Sequence, residues 1–114
     1  MRGTGVTTEA RDGVGIVRIL GELDLANVPV LHDAYTGFGG MPVVVDLSSC
    51  DFIDSSGIAA LVQAWRDVGS SDGRRFALAS ARGQVKRLLK VAGFYDHMEI
   101  FRSVDTATVA LKPR

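Results

Sequence analysis

Val43-Val44-Val45-Asp46-Leu47-Ser48-Ser49-Cys50-Asp51-Phe52-Ile53-Asp54-Ser55-Ser56-Gly57-Ile58-Ala59-Ala60-Leu61 passes from one periodicity to another. Pro42 to Leu47 is a short, continuous apolar run rich in β-branched residues, the pattern of a strand buried on both faces. After Asp54 the apolar residues return at helical spacing, with Ile58, Leu61, Val62, Trp65 and Val68 on one stripe and Gly69 near its end. Strand, turn and helix in direct succession form the unit of an α/β sheet, because parallel neighbours need a crossover between them.

The same alternation extends in both directions. Val14 to Leu20 and Arg75 to Ala79 read as further buried strands, and Met98 to Phe101 as a short one. Val6 to Ala10 pairs with Val14 to Leu20 as a hairpin through Arg11-Asp12-Gly13, since Asp-Gly is a strong two-residue turn signal. Leu31, Ala34, Tyr35 and Phe38 mark a helix that starts after Asn27, a good cap, with Pro29 in its first turn, and that stops at Gly37, Gly39 and Gly40. Another helix turns Val85, Leu88, Leu89 and Ala92 inward, leaves Lys86, Arg87 and Lys90 as a solvated face, and ends at Gly93. A last one starts at Ser103 and buries Val104, Ala107, Thr108 and Leu111. The order β-β-α-β-α-β-α-β-α over residues 1–114, without linker or repeat, predicts one α/β domain with a central mixed β-sheet covered by helices.

Composition narrows the function classes. Thirteen Lys and Arg balance 13 Asp and Glu in 114 residues, so the formal net charge is zero and the basic excess of nucleic-acid binders is missing. No apolar run approaches the roughly 20 residues that span a bilayer, and Met1-Arg2-Gly3-Thr4-Gly5 does not read as a secretory leader. The expectation is a cytoplasmic protein without direct nucleic-acid or membrane partners. Cys50, the only cysteine, fits a reducing compartment and excludes an internal disulfide.

Enzyme signatures are few. His32 and His97 have no Cys or His at ligand spacing, which argues against a zinc site. A Walker A sequence is missing, Gly13-Val14-Gly15 lacks the third glycine of the dinucleotide fingerprint, and Gly37 to Gly40 leads into a strand rather than a helix. Neither cofactor nor metal is expected. Ser55 and Ser56 lie outside the Gly-x-Ser-x-Gly elbow of serine hydrolases, and no histidine is placed beside them in sequence.

The segment Asp51 to Ile58 carries the chemistry that remains. Asp54 or Ser55 caps the helix, leaving two hydroxyls in a first turn whose amides are unpaired. A helix amino terminus accommodates a phosphate, and phosphorylation of one serine adds about 1.5 to 2 negative charges beside Asp51 and Asp54. With carboxylates as neighbours and no arginine close in sequence, the consequence for a partner is repulsion. On a helical wheel Ser56, Ala59, Ala60 and Ala64 fall with Gln63 opposite the apolar stripe, a small-residue face open to another backbone. Trp65 belongs to the stripe and is expected in the core.

Three spaced segments taken together resemble the STAS domain of bacterial anti-sigma factor antagonists, over nearly the whole chain. They are Gly21-Glu22-Leu23-Asp24-Leu25, Val43 to Ser48 leading into Asp51-Phe52-Ile53-Asp54-Ser55-Ser56-Gly57, and Val85-Lys86-Arg87-Leu88-Leu89-Lys90-Val91-Ala92-Gly93-Phe94. The resemblance implies that Ser55 is the phosphoacceptor of an anti-sigma factor that is also a serine kinase and that holds the ATP itself. It implies further that the unmodified protein binds this partner and frees a sigma factor, that the phosphorylated form does not bind, and that a phosphoserine phosphatase resets the switch. Asp24 looks like the family's acidic residue near the phosphoacceptor. The wheel sets Ser56 further outward than Ser55, whereas the resemblance assigns the phosphate to Ser55. The implied docking surface comprises Glu22, Asp24, Asp51, Asp54, Ser56, Gly57, Ala59, Ala60 and Gln63. The chain would then be a binding module rather than an enzyme. The alternative role is a STAS subunit of a larger signalling or transport complex that is never phosphorylated.

Overall fold

Strands and helices alternate along the chain as the sequence predicts, with two additions. The computed structural model describes residues 5–69 and 74–113. Residues 1–4, read above as lacking a leader, lie outside them. The elements are β1 (Gly5–Arg11), β2 (Val14–Leu23), a 3-10 turn (Leu25–Asn27), α1 (Val28–Thr36), β3 (Val43–Asp46), β4 (Cys50–Ile53), α2 (Ser55–Gly69), β5 (Phe76–Ala79), α3 (Gly83–Val91), α4 (Phe94–His97), β6 (Glu99–Phe101) and α5 (Val104–Leu111).

β4 and α4 are absent from the expected order. β4 buries only Cys50 and Ile53 and exposes Asp51 and Phe52, so its composition resembles a turn. α4 is a single turn that follows Gly93, whose φ of 83° ends α3 at the expected glycine.

The sheet runs β1-β2-β3-β5-β6, and β4 pairs with β2 off this path. β1 is antiparallel to β2, joined at Arg11 and Val14 through Asp12 (φ 54°) and Gly13 (φ 80°), which gives the two-residue hairpin. The other pairings are parallel, so the sheet is mixed as expected.

Both faces of the sheet are covered, which explains the continuous apolar runs. Val43, Val45, Phe76 and Leu78 pack with Leu31 and Tyr35 of α1, Leu61 and Val68 of α2, and Val85 and Leu89 of α3. Their alternate neighbours Val44, Ala77 and Ala79 pack with Ala107 and Leu111 of α5 on the opposite face. Asp46 also alternates to that side in register with Arg18, whose Nε donates to its carboxylate at 2.8 Å.

α2 sits in a different rotational phase from the one its large residues predict. Its buried side is Gly57, Ala60, Leu61, Ala64 and Val68. Ala60 and Ala64 are therefore not part of an outward small-residue face, and Trp65 is 36% exposed rather than in the core. A Cβ at Gly57 would strike the Leu23 carbonyl oxygen and the Ile53 side chain, so the helix start lies too close to β2 and β4 for any larger residue there. Close approach selects small residues for the buried side, and Ile58 and Val62 pack at its flanks.

Candidate functional site

The end of β4 delivers the Asp54-Ser55 turn. Asp54 Oδ1 accepts from the Gly57 N–H at 3.0 Å, and the Asp54 carbonyl accepts from the Ile58 N–H at 2.9 Å. Asp54 is thus the cap, which decides between the two candidates. Ser55 becomes the first residue of α2 and is exposed, whereas Ser56 is half-buried. This reverses the wheel's ranking of the two serines, because Gly57 and Ala60 rather than Ile58 and Trp65 face the sheet. Among the described residues the Ser55 hydroxyl makes no hydrogen bond. The first turn of α2 contains no acidic residue, so its positive end is uncompensated apart from the cap.

The end of β2 frames this turn. Glu22 and Leu23 lie in register with Phe52 and Ile53 of the parallel β4. Asp24 then opens the 3-10 turn with a reciprocal cap. Its Oδ1 accepts from the Ala26 N–H at 3.1 Å, while its own N–H donates to Asn27 Oδ1 at 2.9 Å. Asn27 also donates from Nδ2 to the Glu22 carbonyl. It makes no side-chain cap to α1, contrary to expectation, because its amide is committed to the strand end behind it. Leu25 (73% exposed) and Phe52 (43% exposed) add apolar area that the sequence reading did not single out.

A third element reaches the site from β5–α3. Arg82 Nη2 donates to Asp51 Oδ1 at 3.1 Å and Arg82 Nε to the Ser48 carbonyl at 3.0 Å. An arginine therefore lies beside Asp51 although none is near it in sequence, and it compensates part of the acidic character expected there. Gln84 donates to the Ile53 carbonyl at 2.9 Å and accepts from the Ile53 N–H at 3.1 Å. No sequence signal short of a fold assignment would pair residues 31 positions apart.

The fold thus brings Glu22, Asp24, Asp51, Asp54, Ser55 and Ser56 to the carboxyl ends of β2 and β4. Gly57 and Ala60 are buried beneath them, and Ala59 is exposed one turn along α2. Gln63 lies further along, on the groove between α1 and α2, where its amide donates to Asp67 Oδ1 at 2.7 Å. Burial pushes the Cys50 thiol above its ordinary range beneath the turn. His32 stands edge-on to Tyr35 with ring centroids 5.3 Å apart, and neither histidine hydrogen-bonds a serine of the turn among the described residues. Within those residues no group of three or more His, Cys, Asp or Glu side chains is placed to hold a metal, and no helix is long and apolar enough to cross a membrane.

Fold and site together define a small mixed-sheet α/β domain that presents an exposed serine at a capped helix start, framed by carboxylates. The chain belongs to the STAS domain family, whose profile matches residues 5–107. It is similar to the anti-sigma-B factor antagonist of Staphylococcus aureus strain NCTC 8325, with 26% identity over 98 residues that cover 83% of this chain and 90% of that protein. A crystal structure of an anti-sigma factor antagonist from Mycobacterium paratuberculosis superposes with a TM-score of 0.85 at 26% identity, covering 97% of this chain and 96% of that one. The unphosphorylated anti-sigma factor antagonist SpoIIAA shares the fold, with a TM-score of 0.70 at 18% identity over 93% of this chain and 96% of its own. The fold also recurs in a murine solute carrier 26 anion transporter, where a TM-score of 0.72 at 19% identity spans 97% of this chain and 22% of the transporter.

Proposed function

We propose that this chain is an anti-sigma factor antagonist, a cytoplasmic binding module whose docking surface is switched by phosphorylation of Ser55. The partner is an anti-sigma factor with serine kinase activity that supplies the ATP, and a phosphoserine phosphatase restores the binding form. The similarity to named antagonists supports the partner class. The observation that carries Ser55 is the division of labour in the turn: Asp54 caps α2, and the adjacent Ser55 hydroxyl is exposed and uncommitted. The half-buried Ser56 is the less accessible acceptor.

Glu22, Asp24, Asp51, Asp54, Ser56 and the exposed Ala59 form the docking surface, Gly57 and Ala60 support it from below, and Gln63 marks its far end. Leu25 and Phe52 give it an apolar component. A phosphate on Ser55 changes the net charge from zero to about −2 and concentrates that change at the start of α2, next to Asp54. Arg82 is already engaged by Asp51 and the Ser48 carbonyl and is not free to pair with the incoming dianion. A tenfold loss of affinity requires only about 1.4 kcal/mol, within reach of a doubly charged group brought into such an interface.

Pull-down with the cognate anti-sigma factor tests this reading. Ser55→Ala is expected to bind constitutively and Ser55→Asp poorly, and equal binding by both would refute the switch. The recurrence of the fold inside an anion transporter favours a second reading, an unphosphorylated subunit of a larger assembly. Copurification of a transporter in place of an ATP-binding kinase would support it.

A further inference from the structure

A cleft of about 510 Å3 opens beyond the carboxyl ends of β5 and β6, lined by Ala81, Lys86, Tyr95, Ile100, Phe101 and Arg102. It shares no described lining residue with the Ser55 turn. Its size is that of a small-molecule site, and its position beyond the ends of parallel strands is where α/β sheets bind ligands. The chemistry of its walls is one-sided. Lys86 and Arg102 contribute cations from α3 and from the residue after β6, and neither makes an ion pair with a described residue. No carboxylate among the described residues lines the cleft. Glu99, the acidic residue of β6, is held by Arg75 at the other end of that strand.

α3 begins beside the cleft without a side-chain cap or an acidic residue in its first turn, so its positive end adds to the same field. Ile100 and Phe101 supply apolar wall, and Tyr95 an aromatic ring whose phenol burial pushes above its ordinary range, which keeps it a donor. Lys90 sits over the Tyr95 ring at 5.8 Å. Lys86, Arg87 and Lys90 are all exposed, as the sequence predicts, and Lys86 also lines the cleft.

From these walls we infer that the cleft binds a small organic phosphate, a monoester whose dianion pairs with Lys86 and Arg102 and whose apolar body lies against Ile100, Phe101 and Tyr95. Arginine recognises phosphate by paired hydrogen bonds and lysine as a point charge, so the combination favours a dianion over a carboxylate.

Titration of the full chain with phenyl phosphate, followed by amide NMR shifts, tests the assignment. Saturable shifts are expected at Ala81, Lys86, Tyr95 and Ile100 to Arg102, and they should persist in Ser55→Ala. Lys86→Gln combined with Arg102→Gln, both surface changes, should weaken binding about tenfold or more. Benzyl alcohol, which lacks the charge, should give no saturable shift with the unaltered chain. Equal binding by the double variant, equal binding of benzyl alcohol, or shifts centred on the start of α2 would each overturn the proposal. So would tighter binding of a tetraglutamate peptide, which would assign the cleft to an acidic segment of a partner protein.

Discussion

Gln84 of α3 pairs with both backbone groups of Ile53, donating to its carbonyl at 2.9 Å and accepting from its N–H at 3.1 Å. One side-chain amide thereby does for β4 what another strand would do, and it does so at the residue that precedes the Asp54-Ser55 turn. The short β4 keeps its position because it is held on one side by β2 and on the other by this amide.

Gln84→Ala leaves both groups of Ile53 without that partner in a partly buried setting. The expected loss of stability is about 1–3 kcal/mol, read from urea denaturation. Gln84→Glu keeps one acceptor but sets a carboxylate oxygen against the Ile53 carbonyl, so its loss at neutral pH should equal or exceed that of the alanine variant.

Gly57→Ala tests the close approach of α2. The added methyl meets the Leu23 carbonyl and the Ile53 side chain, and a carbonyl cannot swing aside as a flexible side chain can. The helix start must move, and the expected cost is about 1–3 kcal/mol of stability by thermal or urea unfolding. Ala59→Gly, at an exposed position of the same helix, should cost about 1 kcal/mol or less.

The alternation of strands and helices was legible because each element carries its own periodicity, and the mixed sheet followed from the Asp-Gly hairpin and the crossovers. β4 escaped notice because exposed Asp51 and Phe52 stand between its buried ends. The phase of α2 differs from the wheel's for a physical reason. Wheels weight large apolar residues, whereas a helix pressed onto a sheet at Gly57, Ala60 and Ala64 buries its small ones. The Asp54-Ser55 turn could be read directly, but Arg82 and Gln84 could not, since their partners are fixed only when α3 docks beside β4.

Arg18 and Asp46 provide a stability test on the sheet face opposite α2. The Asp46 carboxylate is 1% exposed and receives the Arg18 Nε at 2.8 Å and the Ser48 N–H at 2.9 Å. Arg18→Met should cost about 1–3 kcal/mol by leaving a buried acceptor short of a donor. Combining it with Asp46→Leu should recover part of that loss, because the buried charge is removed as well.

Tyr35 and Asp67 give the α1–α2 contact a pH dependence. The Tyr35 hydroxyl donates to Asp67 and is the main reason the carboxyl lies below its ordinary range. A depressed carboxylate contributes stability above its unfolded value, and that contribution is lost as pH falls through the folded value. The stability difference between the unaltered chain and Tyr35→Phe should therefore be largest near neutrality and shrink below about pH 4. At the alkaline end, burial first and Asp67 second raise the Tyr35 phenol, so stability should fall as pH rises beyond about 10.

The proposed control of docking by one phosphate on Ser55 is tested most directly by tandem mass spectrometry coupled to calorimetry. The chain is incubated with its cognate anti-sigma factor kinase and ATP, the phosphate is located, and the affinity of the purified modified form is measured. A single phosphate on Ser55 and an affinity reduced about tenfold or more are the predicted result. A phosphate found on Ser56 with Ser55 untouched, or an affinity unchanged by phosphate on Ser55, would contradict it.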